Sequence, residues 1–212
     1  DIGEDTNVAT LSTAISLHDR DNPLLPTRGS NGRVRFEVAD DGLGSDTEFL
    51  RAQLEYTRLF PLSEAGVLAA SARTGVIAPY GLSEEIPLPE RFFNGGENSV
   101  RSFQEDELLP TGVFCDPLGG ESATTLNVEL RREIAGNLAG ALFFDLGNVT
   151  EEVQDYLDFN GFRSGVGLGL RYQLPIGPVR LDLGFNPNTE TDPLTQQEED
   201  EYVLHFSVGF PF

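Results

Sequence analysis

The sequence contains no lysine, methionine or tryptophan and has a single cysteine, Cys115. One cysteine cannot form an internal disulfide or supply a cysteine-based zinc site. No run of apolar residues approaches the roughly 20 that a membrane-spanning helix needs. Positive charge is also scarce, because 35 Asp and Glu oppose 14 Arg and the formal net charge is -21. Binding phosphates needs clustered positive charge, so we expect no nucleic acid partner.

The 212 residues suffice for one domain or for part of a larger one. Hydrophobic residues make up 39% of the chain, which is too many for a disordered protein. The 23 glycines and 13 prolines are too many turn formers for a helical bundle. The chain begins at Asp1 rather than at Met, so we expect a processed, trimmed or excerpted chain. A missing signal peptide then says nothing about the compartment.

The main pattern is the alternation of polar and apolar residues with a period of two, which predicts β-strands. About nine segments follow it, and most are near the 9–11 residues that a tilted transmembrane strand needs. These segments are Val8–His18, Gly29–Val38, Phe49–Phe60, Gly66–Tyr80, Leu126–Arg131, Leu138–Val149, Gly165–Leu174, Val179–Asn186 and Leu204–Phe212.

The two faces of the predicted strands differ in chemistry. One face carries Arg, Glu, Asp, Asn, Gln and many glycines, and the other is almost purely Leu, Val, Phe and Tyr. A soluble sandwich buries its apolar faces and scatters charge on the outside. An ionic face opposite an apolar one instead favours an all-β, antiparallel transmembrane β-barrel with lipid outside and water inside. A soluble sandwich or a lipocalin-like barrel is the alternative.

The connections between the strands alternate in length, as do the periplasmic turns and extracellular loops of an outer-membrane barrel. The connection Asp19–Arg28 is of intermediate length and rich in turn formers. The short connections are Pro61–Ala65, Ile134–Asn137 and Pro175–Pro178. The long ones are Asp40–Glu48, Gly81–Ala123, Thr150–Phe162 and Pro187–Glu201.

Acidic residues are concentrated on the predicted extracellular side. The N-terminal tail and the four long loops hold 26 of the 35 acids, so that side is strongly anionic. This is either a solvated surface or one that binds anionic lipid headgroups through bridging divalent cations. Asp40, Asp41, Asp46 and Glu48 lack the spacing of a helix–loop–helix calcium site, so we expect no specific metal site.

The longest loop contains the sequence RFFNGGENSVRSF at residues 91–103. Its part Val100-Arg101-Ser102-Phe103 resembles the Val-Arg-Gly-Phe motif in the sixth extracellular loop of the BamA/TamA outer-membrane assembly factor superfamily, also called the bacterial surface antigen family. Ser102 replaces the glycine of that motif, and a serine is strained if the position needs a positive φ. Four other segments resemble the family's segments in its order: Asp21–Gly29, Phe143–Val149, Gly169–Asp182 and His205–Phe212.

The resemblance covers nearly the whole chain and implies its place in a larger barrel. Residues 1–212 then form the C-terminal nine strands of a sixteen-strand barrel domain, with a long extracellular loop at 81–123 and no POTRA domain. An open sheet edge is costly in lipid because its backbone groups are unpaired. We therefore expect an excerpt, whose partners include the remaining strands and POTRA domains or accessory subunits. Oligomerisation and closure as a small barrel are the alternatives.

The resemblance also implies a set of interacting residues inside the barrel. In the family, the arginine of the loop folds into the lumen and meets acids of neighbouring strands. Arg101 then pairs with Asp145 and Glu129, Gly147 leaves room for the loop, and Phe103 packs beside the arginine. The alternative is that Arg101 is exposed in a long loop. We name the set the loop-lumen lock: Val100, Arg101, Ser102, Phe103, Glu129, Asp145 and Gly147.

The last residues are similar to the family's terminal recognition signal. The resemblance implies that this strand pairs weakly with the first strand, and that the seam opens to receive client strands. Gly209 and Pro211 weaken the strand near its end. The aromatic side chains are alternatively interfacial anchors. The terminal signal consists of Phe206, Val208, Gly209, Phe210 and Phe212.

The function that the resemblance implies is assembly and insertion of outer-membrane β-barrel proteins. The implied location is the bacterial outer membrane, and the implied partners are client β-barrel proteins, membrane lipid and lipopolysaccharide. A two-partner secretion pore of the same superfamily and a passive porin or structural barrel are the alternatives. We expect no enzyme and no cofactor, because neither His18 nor His205 lies near a nucleophile motif and no phosphate loop is present.

Overall fold

The computed structural model describes residues 6–22, 26–110, 118–156, 158–159, 161–174, 177–191 and 198–209. This part of the chain forms one antiparallel sheet of nine strands, in which each strand pairs with its neighbours in sequence. None of its helices is long and apolar enough to span a membrane. The strands are β1 (Thr10–Arg20), β2 (Gly29–Ala39), β3 (Phe49–Ser63), β4 (Gly66–Pro79), β5 (Ser122–Ala135), β6 (Leu138–Thr150), β7 (Arg163–Leu174), β8 (Gly177–Phe185) and β9 (Tyr202–Val208).

Each of the nine predicted segments contains a strand, but several predicted ends were wrong, and the predicted end at Phe212 lies outside the described residues. β5 extends the predicted Leu126–Arg131 by four residues at each end, and the first four are small and show no polar-apolar alternation. The predicted turn at Pro61 lies within β3, where Pro61 pairs with Val67 next to a shift in register. A proline is tolerated at such an irregularity, where a ladder hydrogen bond is already missing.

The apolar face of the sheet is exposed, as the sequence predicted, and the ionic face is buried in the middle of the sheet, whereas β1 is exposed on both faces. Leu168 and Leu204, on the apolar face, are both 64% exposed. Glu129 and Asp145, on the opposite face, are 0% exposed. We refer to this buried ionic face as the inward face. Part of this face, over β5 to β8, is covered by the described residues of the loop between β4 and β5 (residues 80–110 and 118–121).

Two clusters of apolar side chains lie on the inward face, at the strand ends that the long loops join. In the first, Val100, Phe103 and Leu108 of the loop pack with Ala123 and Val149. The second consists of Ala39, Phe49, Ile77 and Ile86, and Phe92 packs against both clusters. The loop therefore supplies much of the core, and its burial fixes its tip over β5 to β8.

The loop-lumen lock as the candidate functional site

The loop between β4 and β5 is fixed to the sheet above its tip. Phe92 and Gly120 form an antiparallel bridge, in which each backbone N–H donates to the other's carbonyl at 2.8 Å. The side-chain amide of Asn94 donates to the carbonyls of Thr124 and Asn148, both at 3.1 Å. The bridge closes the loop on itself just before β5, and the two bonds of Asn94 attach it to β5 and β6, so the residues that follow lie along the inward face.

Arg101 lies at the tip of the loop, on the inward face, and is 1% exposed. Its Nε and Nη2 donate to the two carboxylate oxygens of Asp145, each at 2.8 Å. Its Nη1 donates to Oε2 of Glu129 at 2.5 Å. One guanidinium thus holds two buried carboxylates, and its planar fork matches the bidentate geometry that Asp145 offers.

The surroundings of Arg101 keep it charged. The guanidinium carbon lies 3.6 Å from the ring centre of Phe143, a distance at which a cation is attracted to the ring face. Burial by itself lowers the pKa of Arg101, but the hydrogen bonds and charges of Asp145 and Glu129 outweigh it and raise the pKa. The backbone N–H of Arg101 also donates to Asp145 at 3.1 Å, so the carboxylate fixes the main chain of the loop as well.

Further charged residues, which the sequence reasoning missed, extend this ionic cluster. Nε of Arg131 lies 2.6 Å from Oε1 of Glu129, and Nη2 of Arg171 lies 2.9 Å from Oε2. Nη1 of Arg171 also lies 2.7 Å from Oδ1 of Asp182. The alternation had placed these residues on the polar face. Their meeting depends on the register of the sheet, which sets Asp182 opposite Gly169 and Arg171 opposite Arg180.

The tip of the loop lies in a slot where strand glycines replace side chains. A Cβ on Gly147 would lie 2.6 Å from Cγ2 of Val100, and one on Gly184 would lie 2.0 Å from the carbonyl oxygen of Arg101. A Cβ on Gly165 would lie 2.1 Å from Oγ of Ser102. Gly147 was expected to leave this room. No such role was predicted for Gly165 and Gly184, although the alternation had placed both on the polar face, which was a usable signal.

The structure adds two details to the motif. Asp106 is the non-glycine residue with a positive φ in the described part of the chain, so Ser102 is not in the strained conformation considered above. The ring against the guanidinium is that of Phe143, whereas Phe103 packs with Val100 and Leu108.

Ser102 and Gly165 provide a direct test of the slot. We expect Gly165→Ala to displace the loop, because the new methyl group overlaps the Ser102 side chain. Replacing Ser102 with Gly in the same protein should restore the loop, since it removes both overlapping atoms, Oγ at 2.1 Å and Cβ at 2.5 Å, and leaves the nitrogen of residue 102 at 3.5 Å as the next atom. The displacement of the loop is measured by its protease sensitivity in Gly165→Ala and in the double variant with Ser102→Gly. Equal sensitivity of the single and double variants would contradict it.

The described part of the terminal signal follows β9 and ends at Gly209. Phe206 and Val208 point outward and are exposed. Gly209 has a φ of 119° and its N–H donates to the carbonyl of Pro178 at 2.8 Å, which joins the chain end to β8. Phe210 and Phe212 lie outside the described residues.

An antiparallel meander with an apolar outer face, an ionic inner face and a loop folded onto that inner face is a transmembrane β-barrel of the outer-membrane type. The chain belongs to the Omp85 superfamily, because the model of the Omp85 superfamily domain matches residues 3–212. Its bacterial relatives are outer-membrane proteins by name. The chain is therefore a protein of the bacterial outer membrane, as the sequence predicted.

Relatives of known name are similar over almost the whole chain. The outer membrane protein assembly factor BamA of Nitratidesulfovibrio vulgaris is 26% identical over 210 residues, which cover 97% of this chain and 26% of that protein. The SAM50-like protein of Schizosaccharomyces pombe is 27% identical and covers 96% of this chain and 44% of its own length. The chain therefore spans about a quarter of the bacterial relative's length.

Solved structures show the same fold. A crystal structure of BamA from Haemophilus ducreyi lacking POTRA domains 1–3 has a TM-score of 0.75, with 19% identity over 92% of this chain and 41% of that one. CdiB from Acinetobacter baumannii has a TM-score of 0.56, with 19% identity over 93% of this chain and 32% of that one. In both, the likeness is one of fold.

Proposed function

We propose that this chain is the barrel portion of a factor that assembles β-barrel proteins and inserts them into the outer membrane. The observation that carries the proposal is the loop-lumen lock, in which Arg101 of an extracellular loop is buried against Asp145 and Glu129 on the inward face. The names of the relatives BamA and SAM50-like protein support the same function.

The geometry suggests how such a factor works without enzymatic chemistry or a cofactor. The lock holds the loop inside the lumen, where it occupies space that a passive channel leaves to water. In the described part of the chain the second edge of β9 has no partner strand, so it can pair with the first strand of the complete barrel. A client strand can add to such an edge through main-chain hydrogen bonds when that seam opens.

The proposed partners follow from this action. They are client β-barrel proteins, the remaining strands of the barrel, and POTRA domains or accessory subunits that deliver clients. The exposed apolar face contacts outer-membrane lipid, and we include lipopolysaccharide as a partner of the acidic extracellular side.

A reversible crosslink of the seam tests the function in the full-length protein. With Cys115 replaced by Ser, one cysteine at Leu204 of β9 and one in the first strand would be joined under oxidising conditions. We expect client assembly to stop on oxidation and to return on reduction, because the seam has to open. The control is a cysteine pair at Leu168 and Leu183, which face each other on β7 and β8 away from the seam.

Two outcomes separate the rival functions. A pore that secretes a protein through its lumen would keep its secretion activity with the seam crosslinked. A passive porin or structural barrel would show no client-dependent activity in either redox state. Either result would replace the proposal.

A further inference from the structure

The terminal strand β9 is the shortest strand of the described sheet, with seven residues. In the described part of the chain it pairs with β8 alone, from Val179 opposite Val208 to Phe185 opposite Tyr202. A short ladder supplies few backbone hydrogen bonds. Side-chain contacts between β9 and other parts of the protein therefore contribute a larger share of what holds it in place.

Arg180 of β8 is one such side chain, and it connects β9 to the loop tip. It is 1% exposed. Its Nε donates to Oγ of Ser207 on β9 at 2.9 Å, and its Nη2 donates to Oδ1 of Asn98 on the loop at 3.0 Å. The other amide atom of Asn98 donates to Glu97, which keeps the oxygen directed at Arg180.

Arg180 depends on these two partners. Among the described residues it has no carboxylate within ion-pairing distance, and its hydrogen-bond acceptors are Ser207 and Asn98. A buried guanidinium that loses a hydrogen-bond acceptor is destabilising. The loop residue Asn98 therefore stabilises the segment of β8 and β9 that surrounds Arg180.

His205 of β9 provides a second connection. Its Nε2 lies 3.1 Å from the carbonyl oxygen of Phe103, two residues after Arg101. A carbonyl oxygen can only accept a hydrogen bond, so Nε2 carries the proton and donates. Just before β9, Asp200 accepts a hydrogen bond from the side chain of Gln104 at 3.0 Å. The loop thus contacts the terminal strand both at its tip and beyond it.

We propose that Arg180 and His205 are positioning residues that tie the terminal strand to the tip of the loop, so that a loop seated in the lumen holds β9 against β8 and a withdrawn loop loosens it. The inference rests on the proposed function and names its regulation: the state of the lock sets how readily the terminal strand moves at the seam. The two connections act on the same strand from two points of the loop.

The mobility of β9 can be measured directly by hydrogen exchange in the full-length protein in lipid nanodiscs. Asn98→Ala removes the acceptor of Arg180 without changing β8 or β9, and His205→Phe removes the donor to Phe103. In each variant we expect the amides of residues 202–208 to exchange on the order of tenfold faster, which is the loss of about one hydrogen bond to a charged or buried group. The exchange of β2 to β4 should not change.

A matched control is Gln154→Ala, which removes an exposed amide from the loop between β6 and β7. It should leave the exchange of β9 unchanged. The proposal is overturned if β9 exchanges at the wild-type rate in both test variants, or if all strands accelerate together. Faster exchange of β9 supports the tie whatever happens to client assembly, whereas client assembly that continues with the seam crosslinked counts against the proposed function alone, so the two can fail separately.

Discussion

Replacing Arg101 with Ala is expected to free the loop from the lumen and to abolish client assembly while the barrel stays folded. The substitution leaves Asp145 and Glu129 buried, and removing one partner of a buried ion pair typically costs about 3–5 kcal/mol. Glu129 retains Arg131 and Arg171, but Asp145 loses its bidentate partner. Most of the cost should therefore fall on the contact between the loop and β6.

Two measurements follow the loop and the function of this variant. Limited proteolysis should cut the loop of Arg101→Ala and spare that of wild type, and a client-insertion assay should show the loss of activity. Arg101→Lys should be intermediate, because lysine keeps the charge but not the bidentate fork. The control is Arg35→Ala, whose half-exposed ion pair with Glu37 is expected to contribute little. A change in ion conductance with normal assembly would favour a passive channel.

A methyl group on Gly184 is expected to displace the loop as effectively as the loss of Arg101. The Cβ of an alanine there would lie 2.0 Å from the carbonyl oxygen of Arg101 and 2.8 Å from the nitrogen of Ser102. These are backbone atoms, which cannot rotate away as a side chain does. The loop or the strand must then shift, and overpacking of this kind costs about 1–3 kcal/mol or more.

The matched control for Gly184→Ala is Gly32→Ala on β2. There the nearest atom to the new methyl group is a ring carbon of Tyr56 at 3.4 Å, an ordinary contact. We expect Gly184→Ala to show the loop proteolysis and assembly defect of Arg101→Ala, and Gly32→Ala to resemble wild type. In the double variant of Gly184 and Arg101 the defects should not add, because one displaced loop accounts for both. Similar behaviour of the two glycine variants would argue against the slot.

The nine strands could be predicted from the sequence because one face of each strand meets lipid, so the polar-apolar alternation is strong. It failed at the start of β5, where Ser122, Ala123 and Thr124 are small on both faces. The pairing of Arg101 with Asp145 and Glu129 was predicted through the family's motif, because the alternation shows which face a side chain occupies but not what lies across from it.

The residues that were missed depend on information that alternation does not contain. Arg171 and Asp182 join the ionic cluster through the register of β7 and β8, and Gly184 belongs to the slot because the loop passes over it. The contact of Asn98 with Arg180 joins residues 82 positions apart. Such contacts are set by how the whole sheet and loop come together, so no local pattern reveals them.

The order of the lock along the chain has a consequence for how the protein folds. Arg101 precedes both of its partners, by 28 residues for Glu129 and by 44 for Asp145. The loop cannot dock until β5 and β6 are paired, and its slot is incomplete until Gly184 of β8 is in place. We therefore expect insertion of the arginine to be a late folding event that follows alignment of the strands, and a misaligned hairpin to leave the tip outside. On this expectation, docking of the loop would check the register of the strands during the protein's own folding.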